Sequence, residues 1–266
     1  MQNTSPLYKR LLSEEHTIET RLVLGTYGIL SDEQGDRIVF GTGANATRIL
    51  VEQGGAEDGF TEEVIFNIRT FNQLFATPVL TVGNAIAGHI EATMFKPFGT
   101  IDRHSQMIPY IRLVSADKTE RSEWIKKGVF FIDTRETANN TDGLAVLNLY
   151  GIDALALTEA DYPSDKKHSY PLLDKTIVQV IADKIEVQVD ERTWANMTGG
   201  YKFGLPVGYS MREVLSYIGS IYLGNWCITD EGKLRLVTLT EIPAETRYLS
   251  DEIGYAITFG GDRILV

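Results

Sequence analysis

Apolar and polar residues alternate along much of the first half of the chain, the pattern of β-strands that bury one face and expose the other. We predict strands at the following segments: 17–24, 37–40, 63–69, 87–95, 108–114, 129–134 and 144–150. Gly, Pro, Asn and Asp separate them. Seven short strands divided by turn residues predict a β-barrel or a β-sandwich.

The periodicity becomes helical in the second half. Asp174 is placed to cap a helix whose apolar face is formed by Ile177, Val178, Ile181 and Ile185.

A second helix is predicted more strongly. Ser210 and Glu213 have the spacing of a capping box, in which each side chain pairs with a free backbone N–H at the start of a helix. One apolar face then follows, composed of Met211, Val214, Leu215, Ile218 and Tyr222. We expect Gly224 to end this helix in the left-handed conformation.

A β-hairpin is predicted after this helix, with strands at 226–229 and 234–238 around a turn at 230–233. The chain then returns to β character at 255–259 and 264–266. The predicted fold class is therefore α+β and mainly β, with three parts. A β-barrel or sandwich domain spans residues 1–158, a small α+β domain spans 159–240, and terminal strands in 241–266 pair with a barrel or with a neighbouring subunit.

Composition and charge exclude several classes of function. The 266 residues are 43% apolar and 23% charged, as in ordinary folded proteins. A net charge of −11 argues against a protein that grips nucleic acid or docks on anionic lipid, because both need clustered Lys and Arg. We see no signal peptide and no apolar run long enough to span a bilayer, so we expect folding in a cytosol and no membrane insertion. The single cysteine, Cys227, lies in a strand-like run and is expected to be a buried, inert thiol.

Known catalytic and metal-binding patterns are absent from the sequence. The four histidines, His16, His89, His104 and His168, are not spaced as metal ligands, and His89 lies in a predicted strand. There is no nucleophile elbow and no complete phosphate-binding loop. We therefore assign no catalytic, cofactor-binding or metal-binding residues and expect no cofactor.

Adjacent carboxylates are candidate catalytic groups, because glycoside hydrolysis needs a pair of them. Glu14–Glu15, Glu62–Glu63 and Asp230–Glu231 are such pairs. Neighbouring side chains on a strand point to opposite faces, and Asp230–Glu231 lies in the predicted hairpin turn. We interpret all three as solvated surface.

Several segments, taken in order, resemble one protein family. They are 78–84 (PVLTVGN), 122–134 (SEWIKKGVFFIDT), 147–155 (LNLYGIDAL), 161–163 (DYP), 209–215 (YSMREVL), 224–226 (GNW) and 230–234 (DEGKL). Together they resemble the tail-hub, or baseplate-hub, proteins of tailed bacteriophages and prophages, which are related to the spike hub of type VI secretion. The resemblance covers about residues 10–240. Such hubs usually continue into a complete second barrel, whereas only a few strand-like segments follow here.

This resemblance implies a non-enzymatic homotrimer whose barrels form a ring at the tail tip of a virion, assembled in the cytoplasm of the host bacterium. The ring would join the tail tube to a spike or fibre and contact other tail proteins, such as the distal tail protein and the tape measure. DNA would only pass through its lumen, which an acidic wall would suit. Two other classes stay open: a tail-associated peptidase or glycosidase, and a glycan-binding β module. In the glycan-binding module, Trp124, Trp194 and Trp226 would be the candidate sugar contacts, although Trp124 and Trp226 lie in apolar contexts that favour a core position.

Overall fold

A computed structural model gives the fold of most of the chain. It describes residues 4–29, 39–40, 47–48, 50–53, 60–61, 63–75, 81–96, 101, 105–139, 145–163, 169–239, 258–259 and 262–263.

Four α-helices are present in these ranges: α1 (Pro6–Ser13), α2 (Asp174–Lys184), α3 (Glu191–Asn196) and α4 (Met211–Ile221). A 3₁₀ helix spans Ala154–Glu159. The strands are β1 (His16–Ile29), β2 (Val39–Phe40), β3 (Thr47–Arg48), β4 (Leu50–Gln53), β5 (Phe60–Thr61), β6 (Ile65–Phe71), β7 (His89–Phe95), β8 (Gln106–Ser115), β9 (Ile125–Lys126), β10 (Phe130–Asn139), β11 (Ala145–Ile152), β12 (Leu172–Leu173), β13 (Lys202–Phe203), β14 (Gly224–Ile228), β15 (Leu234–Thr238), β16 (Thr258–Phe259) and β17 (Asp262–Arg263).

A nine-stranded antiparallel sheet dominates the first half. Its main path runs β4-β1-β8-β10-β11-β7-β6, with β5 paired to β1 and β9 paired to β8. The longest ladder joins β1 to β8, from His16 opposite Ser115 to Gly25 opposite Gln106. Among the described strands the two ends of the path do not pair with each other, so the sheet is open there and not a closed barrel.

One face of this sheet carries a hydrophobic core, as the alternating sequence predicts. Its buried members come from β1, β6, β7, β8, β10 and β11: Leu22, Leu24, Ile65, Ile90, Ala92, Met94, Met107, Phe130, Ile132, Leu147 and Leu149. Burial of this apolar face stabilises the fold by roughly 25 cal/mol for each Å² removed from water.

The second half packs helices α2 and α4 with the β14–β15 hairpin around a separate core. Its largest member, Trp226, is completely buried, and its indole N–H donates to the carbonyl of Leu215 at 2.6 Å. The apolar faces predicted for the two helices are buried in this core, including Ile177, Ile181 and Ile218.

The predicted capping box of α4 is confirmed: Ser210 accepts from the N–H of Glu213, whose side chain accepts from the N–H of Ser210. The prediction for its C-terminus is wrong. Leu223, and not Gly224, takes a positive φ of 51°, and Gly224 begins β14. A Cβ on Gly224 would lie 2.7 Å from the carbonyl oxygen of Val237 on the paired strand, so glycine is needed there for close packing.

The cap predicted for α2 is also wrong. Leu173 is the N-cap residue and Asp174 is the first residue of the helix. The fully buried Asp174 carboxylate accepts hydrogen bonds from the hydroxyl of Tyr222 and from the N–H of Tyr201. Burial of the phenol, followed by this contact with Asp174, raises the pKa of Tyr222 to about 12. The side chain therefore ties α2 to the end of α4.

Helix α1 was not predicted from the sequence. Ser5 caps it by accepting from the N–H of Tyr8, and both the N–H and the hydroxyl of Ser5 donate to Glu123 at 2.6 Å. Leu11 is completely buried. The helix is thus fixed to the sheet by contacts that are distant in sequence.

Each predicted strand that the structure describes overlaps an observed one, but the bounds differ, since residues 63–64, 87–88, 129 and 229 lie outside strands. Residues 37–38, 144, 255–257 and 264–266 lie outside the described residues. At the C-terminus, β16 and β17 pair with each other, and the described residues do not show the predicted pairing with a barrel. The domain boundaries at 158 and 240 remain predictions. No helix in the described ranges combines the length and the apolar character needed to cross a membrane.

Candidate functional site at the junction of the sheet and the α+β unit

The segment that leads into β7 joins the β14–β15 hairpin as a parallel partner. Ala85 pairs with Trp226, and the backbone N–H of Trp226 donates to the carbonyl of Asn84 at 2.7 Å. Gly83 donates its N–H to the carbonyl of Gly224 at 2.8 Å. The residues just before β7 of the large sheet therefore contact the unit formed by α2, α4 and the β14–β15 hairpin, which we call the α+β unit or the small unit.

A buried amide completes this contact. Asn225 is 1% exposed, and its Oδ1 accepts from the backbone N–H of Asn84 at 2.7 Å. Its Nδ2 donates to the carbonyl of Thr81 at 2.8 Å. An amide side chain satisfies one donor and one acceptor of the same loop, which a carboxylate or an apolar group could not do.

A buried carboxylate joins the exit of β11 to the entry of β7. Asp153 accepts from the N–H of Gly88 at 2.7 Å and from the N–H of Leu155 at 2.9 Å, where it caps the 3₁₀ helix. Burial raises the pKa of Asp153 to about 7, and this effect outweighs the two hydrogen bonds and the positive charge of Arg212. A Cβ on Gly88 would lie 2.5 Å from Asn72 Oδ1 and 2.9 Å from Asp153 Oδ2, so only glycine lets these two side chains lie so close to the backbone.

Two ion pairs join the hairpin turn to the sheet. Lys126 lies 4.0 Å from Glu231 and Lys127 lies 3.6 Å from Asp230. The prediction that 230–233 is a turn is confirmed, but our interpretation of Asp230–Glu231 as plain solvated surface is incomplete because both carboxylates face lysines. These pairs are partly exposed and contribute at most about 1 kcal/mol each.

A cleft of about 750 Å³ opens between the two units beside these contacts. Asp190 and Arg192 on its wall form a two-pronged ion pair at 2.7 and 2.8 Å, and this pairing lowers the pKa of Asp190 to about 2. Cys227 also lines the cleft and is partly exposed, so it is less buried than predicted. Its partial burial still raises the pKa of the thiol to about 11, which keeps the thiol protonated and unreactive at neutral pH.

The histidines are not brought together. His89 lies in a strand, as predicted, and is the first residue of β7; its ring stacks on Phe71 with centroids 4.4 Å apart. His16 lies near the carbonyl of Glu14 at 2.8 Å. His104 and His168 lie outside the described residues. Within the described part of the chain, no group of three or more His, Cys, Asp or Glu side chains is arranged to hold a metal ion.

Two of the three tryptophans belong to the core of the α+β unit and do not offer a flat surface to a sugar. Trp226 is buried, and Trp194 packs against the core of the α+β unit. Trp124 lines the cleft, and the guanidinium groups of Arg21 and Arg112 lie 4.6 and 4.3 Å from its ring centroid. A sugar that stacked on this ring would share it with two cations.

The residues that build the junction were not singled out from the sequence as site residues. Asn84, Asn225 and Asp153 make contacts 65 to 144 positions away. The sequence offered one indirect signal for these residues: each of them lies in a segment that resembles the tail-hub family.

Comparison with known proteins returns solved structures only: no protein-family model and no curated protein matches. A 43 kDa tail protein of prophage MuSo2 from Shewanella oneidensis is similar with a TM-score of 0.48 and 11% identity over 88% of this chain. A tail protein from Neisseria meningitidis MC58 gives 0.46 and 11% over 85%. A PdpA–VgrG complex from Francisella gives 0.38 and 10% over 84%. The chain spans 59%, 53% and 31% of the lengths of those chains, respectively.

Proposed function

We propose that this chain is a structural subunit of a phage-like tail tip, a hub protein whose three copies form a ring between the tail tube and the tip spike or fibre. The main support is that several of the segments that resemble tail hubs, although distant in sequence, meet at the junction described above.

In several contacts of that junction both partners come from such segments. Asn84, from 78–84, meets Asn225 and Trp226, from 224–226. Lys126 and Lys127, from 122–134, meet the turn at 230–234. A sequence pattern that sets the relative position of two units suits a protein whose role is to hold a fixed shape within an assembly.

The proposed role is structural and not catalytic. Three titratable groups in the cleft favour this: Asp190 is paired with Arg192, and the pKa of the Cys227 thiol is raised. The pKa of Asp153 is near 7, but the residue is buried and each of its carboxylate oxygens accepts a backbone N–H, so it is not free to act as a base.

The net charge of −11 supports a lumen past which DNA moves without adhering. In this proposal DNA touches the chain only in transit, and the lasting partners are other tail proteins: the distal tail or tube protein, the tape measure, and the spike or fibre. The site of action is the tail tip of the virion. A basic lumen in the assembled particle would contradict the proposed passage of DNA.

Sedimentation equilibrium of the purified chain, followed by negative-stain class averages, tests the trimer. The expected result is a species of three times the chain mass that appears as a ring with a central opening. A stable monomer at all concentrations, which releases fragments when incubated with bacterial cell wall, would instead favour the hydrolase.

A further inference from the structure

Arginine and aromatic side chains gather on the face of β1 and β8 that lies opposite the hydrophobic core. Directly opposed residues share a face of the sheet, and the ladder sets Glu19 opposite Arg112 and Arg21 opposite Tyr110. Leu22, which follows Arg21, is buried in the core on the other face. The arginine cluster consists of these four residues and two that contact them: Glu19, Arg21, Tyr110, Arg112, Arg121 and Trp124.

The arginine cluster has more positive than negative charge. The carboxylate of Glu19 accepts from Nε of Arg112 at 2.6 Å, and its other oxygen lies 3.7 Å from Arg121. These two arginines therefore share one carboxylate. Arg21 forms no ion pair with the described part of the chain. The cluster is thus a local reversal of sign in a chain whose net charge is −11.

Aromatic rings hold the guanidinium of Arg21. Its Cζ lies 4.8 Å from the ring centroid of Tyr110 and 4.6 Å from that of Trp124. Such contacts use the flat face of a guanidinium and leave the N–H groups in its plane for an acceptor. Among the described residues no acceptor pairs with this guanidinium, and its Nε is buried without one. Arg21 is therefore a positioned cation whose donors are available to an external anion.

The cluster also shows which anion fits. Glu19 demonstrates that a carboxylate lies well between two of these guanidinium groups. The side chain of Arg121 is 54% exposed, and Trp124 lines the cleft of about 750 Å³, so the cluster is open on that side. A long polyanion such as DNA would run from the cluster onto surface of net negative charge, which repels it. A short acidic segment of a protein can place its carboxylates on the arginines alone.

We propose that the arginine cluster binds a short acidic segment of a partner protein, with one of its carboxylates paired to Arg21. The identity of the partner as another tail protein rests on the proposed function, whereas the binding of an acidic segment does not. Complementary charge of this kind gives an interface its orientation and raises the rate of association.

A model peptide tests the binding on the full chain. The probe is a fluorescein-labelled peptide of about ten glutamates, which is long enough to cross the cluster when extended. Its fluorescence anisotropy is followed as the chain is added at about 20 mM and about 150 mM salt, since salt screens contacts between exposed charges. Saturable binding that weakens with salt is expected. An oligothymidylate of about ten nucleotides, with similar charge, is the competing probe and is expected to bind more weakly.

Three variants locate the binding. Arg21→Gln removes the cation with available donors and is expected to raise the Kd for the glutamate peptide about tenfold. Glu19→Gln removes the internal carboxylate that competes for Arg112 and Arg121, and it should lower the Kd about threefold. A gain in affinity cannot result from misfolding, so this variant guards against a trivial loss in the first. Arg135→Gln makes the same change at an exposed arginine outside the cluster and should leave the Kd unaltered.

Each remaining outcome would overturn the inference. The cluster does not bind acidic segments if the wild-type chain shows no saturable binding at low salt, or if Arg21→Gln binds as tightly as wild type. Tighter binding of the oligothymidylate would assign the cluster to nucleic acid instead. The result is also distinct from that of the hub proposal. A trimer that does not bind the peptide refutes the cluster alone, and a monomer that binds it with the expected pattern refutes the trimeric hub alone.

Discussion

The Oδ2 atom of Asp153 accepts a hydrogen bond from the backbone N–H of Gly88 at 2.7 Å, although 65 positions separate the two residues. This contact joins the end of β11 to the residue before β7, and it lies on the wall of the cleft. The same carboxylate caps the 3₁₀ helix that leads into the α+β unit. One buried group therefore links two strands of the large sheet to the start of the small unit.

The stability of the protein is expected to depend on pH through Asp153. Its pKa is raised to about 7 in the folded state, from 3.8 in the unfolded chain, so the native state binds the proton more tightly. This group's contribution is fully present below about pH 4 and is lost as the pH rises through 7, with a slope of up to about 1.4 kcal/mol per pH unit. Urea unfolding of wild type and Asp153→Asn at about pH 4 and about pH 8, on either side of the folded pKa, measures it. The difference between the two free energies of unfolding should change with pH, whereas parallel curves would contradict the assignment.

The two kinds of contact at the junction should differ in strength. Asn225→Ala leaves the N–H of Asn84 without its 2.7 Å acceptor inside a packed contact, so we expect a loss of about 1–3 kcal/mol. Lys127→Ala removes a partly exposed ion pair and should cost less than about 1 kcal/mol. Chemical denaturation of both variants at low and high salt makes the comparison. Equal losses would mean that the exposed ion pair stabilises the protein as much as the buried amide, which would contradict this expectation.

The strands and the main helices could be predicted because their signal is local. Alternation marks a strand with one buried face wherever the core lies, and the capping box of Ser210 and Glu213 needs only neighbouring backbone. Helix α1 was missed although Ser5 followed by Pro6 is a local start signal. What no local pattern contains is its attachment to the sheet, through Ser5 on Glu123, 118 positions away.

Both errors at helix ends came from tertiary contacts that override local preference. Asp174 is a good capping residue by type, but its carboxylate is taken by the hydroxyl of Tyr222, 48 positions away. Gly224 could adopt the left-handed conformation that ends a helix. It lies instead in strand β14, where only a residue without a side chain fits beside the carbonyl of Val237. Leu223 accepts the positive φ in its place.

Two glycines offer a matched test of that explanation. Gly224→Ala puts a methyl group 2.7 Å from the carbonyl oxygen of Val237, so we expect a loss of about 1–3 kcal/mol from overpacking. Gly204→Ala adds the same methyl group where no atom lies within 4 Å, and it should change stability by no more than about 0.5 kcal/mol. Thermal unfolding of the two variants beside wild type measures the difference. If Gly204→Ala is the more destabilising change, the packing explanation is wrong.

The central claim is that this chain is a structural part of a tail tip. The most direct measurement is electron microscopy of particles released from cells that carry the gene, labelled with gold-conjugated antibody against the chain. The account predicts label at the end of the tail distal to the head, on a ring of three copies. Label on the capsid, or antigen that stays with the cells while intact tails are unlabelled, would contradict it.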